Sequence, residues 1–334
     1  MRVLVTGGAG YVGSISSELL LARGHEVTIF DSLATGHRRA VPEGAELVDG
    51  RLVDGALLER TMRERGVEAV LHCAARALVG ESVADPALYY RENVGGGMSL
   101  LDAALAAGVR RLVFSSSAAV YGAPERTPIT EEQPPAPVNP YGETKQVFEQ
   151  MLRWYGEAYG LRGVALRYFN VCGASELLGE DHHPETHLVP NILRSLSGGP
   201  PLTVFGTDYP TPDGTCIRDY IHVLDLADAH LAALELTTGG EAGLLACNLG
   251  SGTGYSVREV LHAAERVTGQ RVPHSYGPRR PGDPPVLVAS SENARQVLGW
   301  TPARGTLEEM IGSTWRWRQA HPQGYDERRE AAAR

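Results

Sequence analysis

Tyr141 and Lys145 stand four residues apart in Tyr141-Gly142-Glu143-Thr144-Lys145, a spacing that puts both on one face of a helix. A phenol with a pKa near ~10 is a poor base at neutral pH. A neighbouring ammonium stabilises the tyrosinate and moves that pKa towards the working range. Alone, such a pair is an ordinary surface neighbour. It gains meaning from the run before it, Phe114-Ser115-Ser116-Ser117-Ala118-Ala119-Val120-Tyr121-Gly122, which closes a strand-like segment. Ligands bind at the carboxyl ends of strands in an open parallel sheet. A Ser117 hydroxyl there is placed to hydrogen-bond a reacting oxygen while Tyr141 exchanges its proton.

The partner for such chemistry is legible at the N-terminus. Thr6-Gly7-Gly8-Ala9-Gly10-Tyr11-Val12-Gly13 follows an apolar strand and opens a helix. Gly7, Gly10 and Gly13 permit a tight turn and a close backbone approach to a pyrophosphate. The amides of Tyr11, Val12 and Gly13 start the helix, where N–H groups and the helix dipole favour an anion. Asp31 ends the next strand, near the spacing of about 20 residues from the glycines at which an acid takes the ribose hydroxyls. A carboxylate there repels a 2′-phosphate, so NAD is expected over NADP, although Arg38 and Arg39 lie nearby. A positive nicotinamide ring would add to Lys145 in stabilising the tyrosinate.

These residues need a scaffold that alternates strand and helix. Strands are expected at about 2–6, 26–30, 46–48, 69–72, 111–115 and 163–168, with helices near 11–23, 55–65, 87–107 and 141–160. The strand runs are apolar throughout, as in a parallel sheet covered on both faces. That predicts an α/β fold: a Rossmann-type parallel sheet with helices on both faces, over residues 1–171. Beyond 171 the texture changes. Segments 172–186, 198–216 and 273–287 are rich in Gly, Pro and His, with helices expected near 187–197, 225–237, 256–267 and 306–319. Residues 172–334 are read as a smaller α/β substrate domain, with some chain returning to the first, and a frayed tail from Gly324 to Arg334.

Composition narrows the partners. A net charge of −9 gives no attraction to nucleic acid or anionic lipid, so phosphates must be captured by a few placed cations. No apolar stretch approaches the roughly 20 residues of a membrane span. Cys73, Cys172, Cys216 and Cys247 form no C-x-x-C pair, and no signal-peptide layout opens the chain. The expectation is a cytoplasmic protein with free thiols.

The glycine loop, Ser117 and the Tyr141/Lys145 pair resemble the extended short-chain dehydrogenase/reductase family. Other stretches resemble its UDP-galactose 4-epimerase branch: Val79-Gly80-Glu81-Ser82-Val83, Leu166-Arg167-Tyr168-Phe169-Asn170, Phe205 to Val223, Pro278-Arg279-Arg280-Pro281-Gly282-Asp283 and Trp315-Arg316-Trp317. The resemblance spans residues 1–325, and the Asp208–Val223 stretch is its most specific part. It implies that Tyr141 takes the proton from O4 of a UDP-hexose while C4 gives hydride to tightly held NAD. A 4-keto sugar then turns over in the site and receives the hydride on its other face. Ser117 would bond O4 and Lys145 the nicotinamide ribose, with Leu52 and Asn93 joining the cofactor residues. Asn170, Arg218 and Arg280 would hold the diphosphate, Phe205 and Leu188 the uracil, and Asp283 the uridine ribose. Relatives are commonly homodimers.

Three positions depart from the family pattern. Asp49-Gly50-Arg51 stands where Gly-Asp is usual, putting a cation where an acid meets the adenine amine. Ala77 replaces a lysine or serine near the pyrophosphate. Leu287 aligns with the residue that gates the sugar pocket, often tyrosine, so UDP-N-acetylhexosamines are an alternative substrate. Sugar-nucleotide dehydratases need proton-transfer groups just after the catalytic hydroxyl, and Ala118 and Ala119 cannot serve. A UDP-glucuronate 4-epimerase stays closer, and a non-catalytic NAD-sensing regulator would be expected to have lost Ser117, Tyr141 or Lys145. Asp181-His182-His183-Pro184-Glu185-Thr186-His187 holds metal-binding residue types, but without helical H-E-x-x-H spacing. No functional metal is expected from it.

Overall fold

Val3 and Val5 point to one face of the first strand and Leu4 to the other, and all three are buried. A strand this apolar on both sides needs two helical layers. The computed structural model describes residues 1–280 and 283–325. Pro281, Gly282 and the tail from 326 to 334 lie outside the described residues.

The chain runs β1 (Arg2–Thr6), α1 (Tyr11–Ala22), β2 (Glu26–Asp31), β3 (Glu46–Asp49), α2 (Gly55–Glu64), β4 (Ala69–His72), α3 (Val79–Ala84) and α4 (Pro86–Tyr89). A π-helical turn, Tyr90–Gly95, leads to α5 (Gly96–Ala106), β5 (Arg111–Ser117), a 3₁₀ turn (Ala118–Tyr121), α6 (Pro140–Tyr159), β6 (Arg162–Tyr168) and β7 (Asn170–Cys172). Then follow α7 (Leu188–Leu196), β8 (Leu202–Phe205), β9 (Ile217–His222), α8 (Val223–Leu236), β10 (Gly243–Leu249) and β11 (Gly254–Ser256). The last elements are α9 (Val257–Thr268), β12 (His274–Gly277), β13 (Val286–Leu287), α10 (Glu292–Leu298) and α11 (Leu307–Ala320).

Seven strands form one parallel sheet in the order β10-β6-β5-β4-β1-β2-β3. The strand order reverses between β1 and β4, which opens the crevice where a dinucleotide binds such a sheet. One core layer packs Val3, Val5, Val113 and Val164 against Leu20 of α1 and Leu226 and Leu234 of α8. The other packs Leu4, Val70 and Leu112 against Leu58 of α2, Leu100 of α5, and Phe148 and Leu152 of α6. A second group of strands, with β9 central between β11 and β13 and β7 also paired to β9, lies in the second half of the chain. β8 and β12 pair separately. Residues of α7, α9 and α11 share one core there with Tyr220 of β9. Among the described residues, no helix is long and apolar enough to cross a membrane.

The six expected strands are present. The seventh, β10, and helix α8 come from beyond residue 171 and join the first sheet. β10 was missed, although Leu244 to Leu249 is a short apolar run bounded by glycine. The single helix expected at 87–107 is three pieces, because the π turn inserts at Tyr90–Gly95. Such turns inside helices are frequent at functional sites. Here the turn carries Asn93.

Candidate active site

Asn139 sets where the site begins. Its Oδ1 accepts the Gly142 amide at 2.9 Å, and Pro140 takes the first helical position, so α6 starts with Tyr141 just inside it. Lys145 follows on the same face and is buried. Its Nζ donates to the Ser115 carbonyl at 2.7 Å and lies 5.8 Å from the Tyr141 ring centre and 4.7 Å from that of Phe114. The Ser117 hydroxyl accepts the Ala119 amide at 3.1 Å and lies close enough to Tyr141 to favour its phenolate. Ser117, Tyr141 and Lys145 therefore meet at the carboxyl end of β5.

The electrostatics differ from the sequence expectation in one respect. Burial raises the Tyr141 phenol above its usual value of 10.0, and donation from Ser117 offsets part of that rise. Burial also lowers Lys145 to about 8. Lys145 is buried and Tyr141 half-buried beside it, and desolvation opposes both charged forms. The lowered tyrosine pKa expected from Lys145 is thus not supplied by this pair alone.

The dinucleotide end has the shape its residues require. Gly7 has φ +72°, and a Cβ on Gly13 would lie 2.2 Å from the Gly7 carbonyl oxygen, so neither position admits a side chain. Gly10 caps α1 without a side-chain bond, leaving the first amides of the helix to a ligand. Asp31 anchors this loop: Oδ2 accepts the Ala9 amide at 3.0 Å and Oδ1 the Leu33 amide at 2.8 Å. Each carboxylate oxygen keeps a lone pair for a ribose hydroxyl. Arg38 reaches Asp49 at 3.4 Å and Arg39 donates to the Tyr325 carbonyl at 3.2 Å. The residues fit an NAD-type dinucleotide.

Two expected cofactor residues take other roles with their side chains. The Tyr11 hydroxyl donates to the Gly173 carbonyl at 2.5 Å and its ring sits in a core with Ile15 and Trp317, so only its backbone is left for a pyrophosphate. Asn93 is buried. It accepts the Arg76 amide at 2.8 Å and donates to the Arg76 carbonyl at 3.0 Å and to Thr144 Oγ1 at 3.0 Å. It ties the loop after β4 to α6. Val12 is half-buried on α1. Leu52 packs so closely on Gly96 that a Cβ there would lie 2.9 Å from Leu52 Cβ. The unusual Arg51 pairs with Glu92 of the π turn, which explains a cation at that position.

At the substrate end, Arg218 on β9 pairs with Asp283, and Leu287 on β13 lies beside Arg218 in register. Leu287 and Phe169 pack against a small cluster of Ile129 with Val120 and Tyr121, the last two from the turn that follows Ser117. The Arg280 guanidinium lies 4.2 Å over the Phe205 ring. Asn170 begins β7 and is half-buried, and Leu188 opens α7 against the second core. Ala77 is exposed in the loop before α3. Sequence reading missed what holds β9 in place. Asp219 is fully buried and accepts the amides of Ser251 at 2.7 Å, Gly252 at 3.1 Å and Ala289 at 3.0 Å. It also missed Asn139 and Thr144, although Asn139-Pro140 is a helix-start signal.

The profile of the NAD dependent epimerase/dehydratase family matches residues 3–250. This chain belongs to that family. Among its members, the UDP-glucose 4-epimerase of Lacticaseibacillus casei is 47% identical over 331 residues, 98% of this chain and 100% of that protein. The Brucella ovis UDP-glucose 4-epimerase, crystallised in complex with NAD, superposes with a TM-score of 0.91 at 48% identity, covering 94% of this chain and 97% of that one. The Bifidobacterium longum UDP-glucose 4-epimerase, in complex with NAD+ and UDP, superposes with a TM-score of 0.92 at 39% identity, covering 97% and 100%. The family's seven-stranded sheet with helices on both faces is thus the fold of this chain.

Proposed function

We propose that this chain interconverts UDP-glucose and UDP-galactose by epimerising C4 of the hexose, as an NAD-dependent isomerase. The observation that carries the reading is Ser117 beside Tyr141, with Lys145 one turn later, at the strand ends of a dinucleotide-binding sheet. Full-length relatives of that activity at 47–50% identity support it. The chemistry that bound NAD supplies is reversible hydride acceptance at C4.

The protein's own residues do the rest. Tyr141 exchanges the O4 proton and Ser117 hydrogen-bonds the same oxygen, so both act where charge develops. Burial favours the protonated form of Tyr141, so a further positive charge would help it to act as a base, and NAD held by Asp31 and Lys145 would supply one in its nicotinamide ring. Lys145 takes the nicotinamide ribose, while Asp31 takes the adenosine ribose. Arg218, Arg280 and Asn170 hold the diphosphate, the arginines as planar forks suited to phosphate oxygens. Phe205 and Leu188 flank the uracil and Asp283 the uridine ribose. The Arg218–Asp283 pair supports this arrangement, since it holds the two groups side by side within reach of one ligand. Residues 1–171 with β10 and α8 serve the cofactor, and most of the remainder serves the sugar nucleotide.

Incubation of purified protein with UDP-galactose and no added NAD is expected to yield UDP-glucose. Failure, unrelieved by adding NAD, would end the proposal. Gly13→Ala drives a Cβ into a backbone carbonyl, so the purified variant is expected to carry little NAD. A wild-type NAD content after denaturing release would contradict the assigned loop.

Leu287 beside Arg218 leaves more room than a tyrosine would. Turnover of UDP-GlcNAc alongside UDP-galactose is expected, and Leu287→Tyr is expected to suppress the former selectively. Normal UDP-galactose turnover with none for UDP-GlcNAc in the wild type refutes this.

A homodimer is part of the proposal. Val79, Val83, Tyr90, Met98 and Trp154 are exposed apolar residues along α3, the π turn, α5 and α6, where a second copy can bury them. The four free cysteines support residence in a reducing cytoplasm.

A further inference from the structure

The loop between β7 and α7 contains Glu180-Asp181-His182-His183-Pro184-Glu185-Thr186-His187. Sequence spacing gave no reason to gather its ligand-type residues, yet the fold does so. Glu180 is buried, with 3% of its side chain exposed. One of its oxygens, Oε1, meets His182 Nδ1 at 3.0 Å and His187 Nδ1 at 2.7 Å. His187 Nδ1 is also 3.2 Å from Glu185 Oε1. One donor atom from each of Glu180, His182, Glu185 and His187 lies within 4.8 Å of all the others.

We infer that Glu180, His182, Glu185 and His187 form a binding site for a divalent transition-metal ion of the Zn²⁺ class. An ion pair requires only one contact between opposite charges. Here two imidazoles turn the same nitrogen, Nδ1, to a single carboxylate oxygen, and a second carboxylate approaches the same point. Metal–ligand bonds of about 2.0–2.2 Å place the donors of a tetrahedral site roughly 3.4 Å apart. The contacts of 2.7, 3.0 and 3.2 Å would open towards that spacing, by about 0.7 Å at most, while the wider pairs, all within 4.8 Å, would draw in to admit an ion. Two nitrogens with two oxygens suit Zn²⁺ or its neighbours, whereas Ca²⁺ and Mg²⁺ favour oxygen alone.

The surroundings hold the set and leave an entry. Glu185 Oε1 accepts the Thr186 and His187 amides, both at 2.8 Å, which orients its carboxylate. The His182 ring stands edge-on to Tyr11, 6.3 Å between centres. His187 is half-exposed, and a cavity of about 50 Å³ lined by Glu180, His182 and Glu185 opens beside the cluster. His187 also precedes the first residue of α7, and Tyr11 is the first residue of α1. A bound ion would staple the loop between the helix that opens the dinucleotide site and α7. This is a structural role, independent of the epimerase reading.

The test uses the full-length protein with its NAD, purified without a histidine tag and dialysed against a chelator. Zn²⁺ is then titrated in and measured by mass spectrometry, with Co²⁺ as a spectroscopic substitute. One Zn²⁺ per chain and Co²⁺ absorption typical of four-coordination are expected. His182→Ala and His187→Ala should each weaken binding by at least the ~10–100-fold that loss of a supporting hydrogen bond costs a metal site. His183 lies outside the set, 3.5 Å from Asp181, and His183→Ala should bind as the wild type does. Bound NAD per chain reports folding of each variant, and Glu185→Gln replaces any histidine variant that fails to fold. Substoichiometric Zn²⁺ in the wild type overturns the site. So does equal loss in His183→Ala, which would mark adventitious binding to surface histidines.

Discussion

Tyr141→Phe is expected to lose about 10²–10⁴-fold in turnover, the range that removal of a positioned acid–base group produces, while its NAD content and stability stay close to wild type. The substitution removes one oxygen beside Ser117 and leaves the ring that packs near Lys145. Neither the glycine loop nor Asp31 touches that oxygen, so cofactor retention should not move. The readouts are kcat with UDP-galactose and NAD released per chain. Activity within a few-fold of wild type would remove Tyr141 as the base. Loss of NAD along with activity would instead make it a cofactor-holding residue.

The second large effect concerns stability. Glu149 and Arg167 form a buried ion pair whose side chains are 5% and 8% exposed. Arg167 Nε donates to Glu149 Oε1 at 2.9 Å and its Nη1 to the Tyr121 hydroxyl at 2.8 Å. Ser116 Oγ donates to Glu149 Oε1 at 2.6 Å, and Tyr121 donates to Asn248 Oδ1 at 2.8 Å. The network joins α6, β5, β6, β10 and the turn after Ser117. Removing one member of such a pair leaves a buried charge without a partner, which typically costs about 3–5 kcal/mol. Arg167→Met should show that loss in the denaturant midpoint and a lower kcat, because Ser116 and Tyr121 flank the catalytic strand end. The double replacement Glu149→Leu with Arg167→Met removes both charges and should recover much of the stability. A single Arg167→Met variant as stable as wild type would show that the network does not brace the site.

The two effects separate chemistry from support. Tyr141 is proposed to act at the reacting oxygen. Glu149 lies one turn beyond Lys145 and acts through the elements it ties together. Asn93 is a similar support, since its amide joins the loop after β4 to Thr144 on the catalytic helix.

What the sequence determined by itself was local. The glycine loop, Asp31 and the Tyr141/Lys145 pair were legible because turn chemistry, strand alternation and helical spacing act over a few residues. The six strands of the first half followed for the same reason. Only the tertiary structure decided which distant segments meet. It placed β10 beside β6, paired Arg51 with Glu92 and Arg218 with Asp283, and buried Glu149 against Arg167. It also showed that Tyr141 and Lys145 are both desolvated, so their proximity alone does not lower the phenol pKa. The loop from Glu180 to His187 shows a different limit, inside a single stretch of eight residues. Its donors share no helical or strand periodicity, so their spacing does not announce that the loop gathers them within 4.8 Å of one another. Spacing records the neighbours that local geometry dictates, whereas contacts across a fold depend on how whole elements pack.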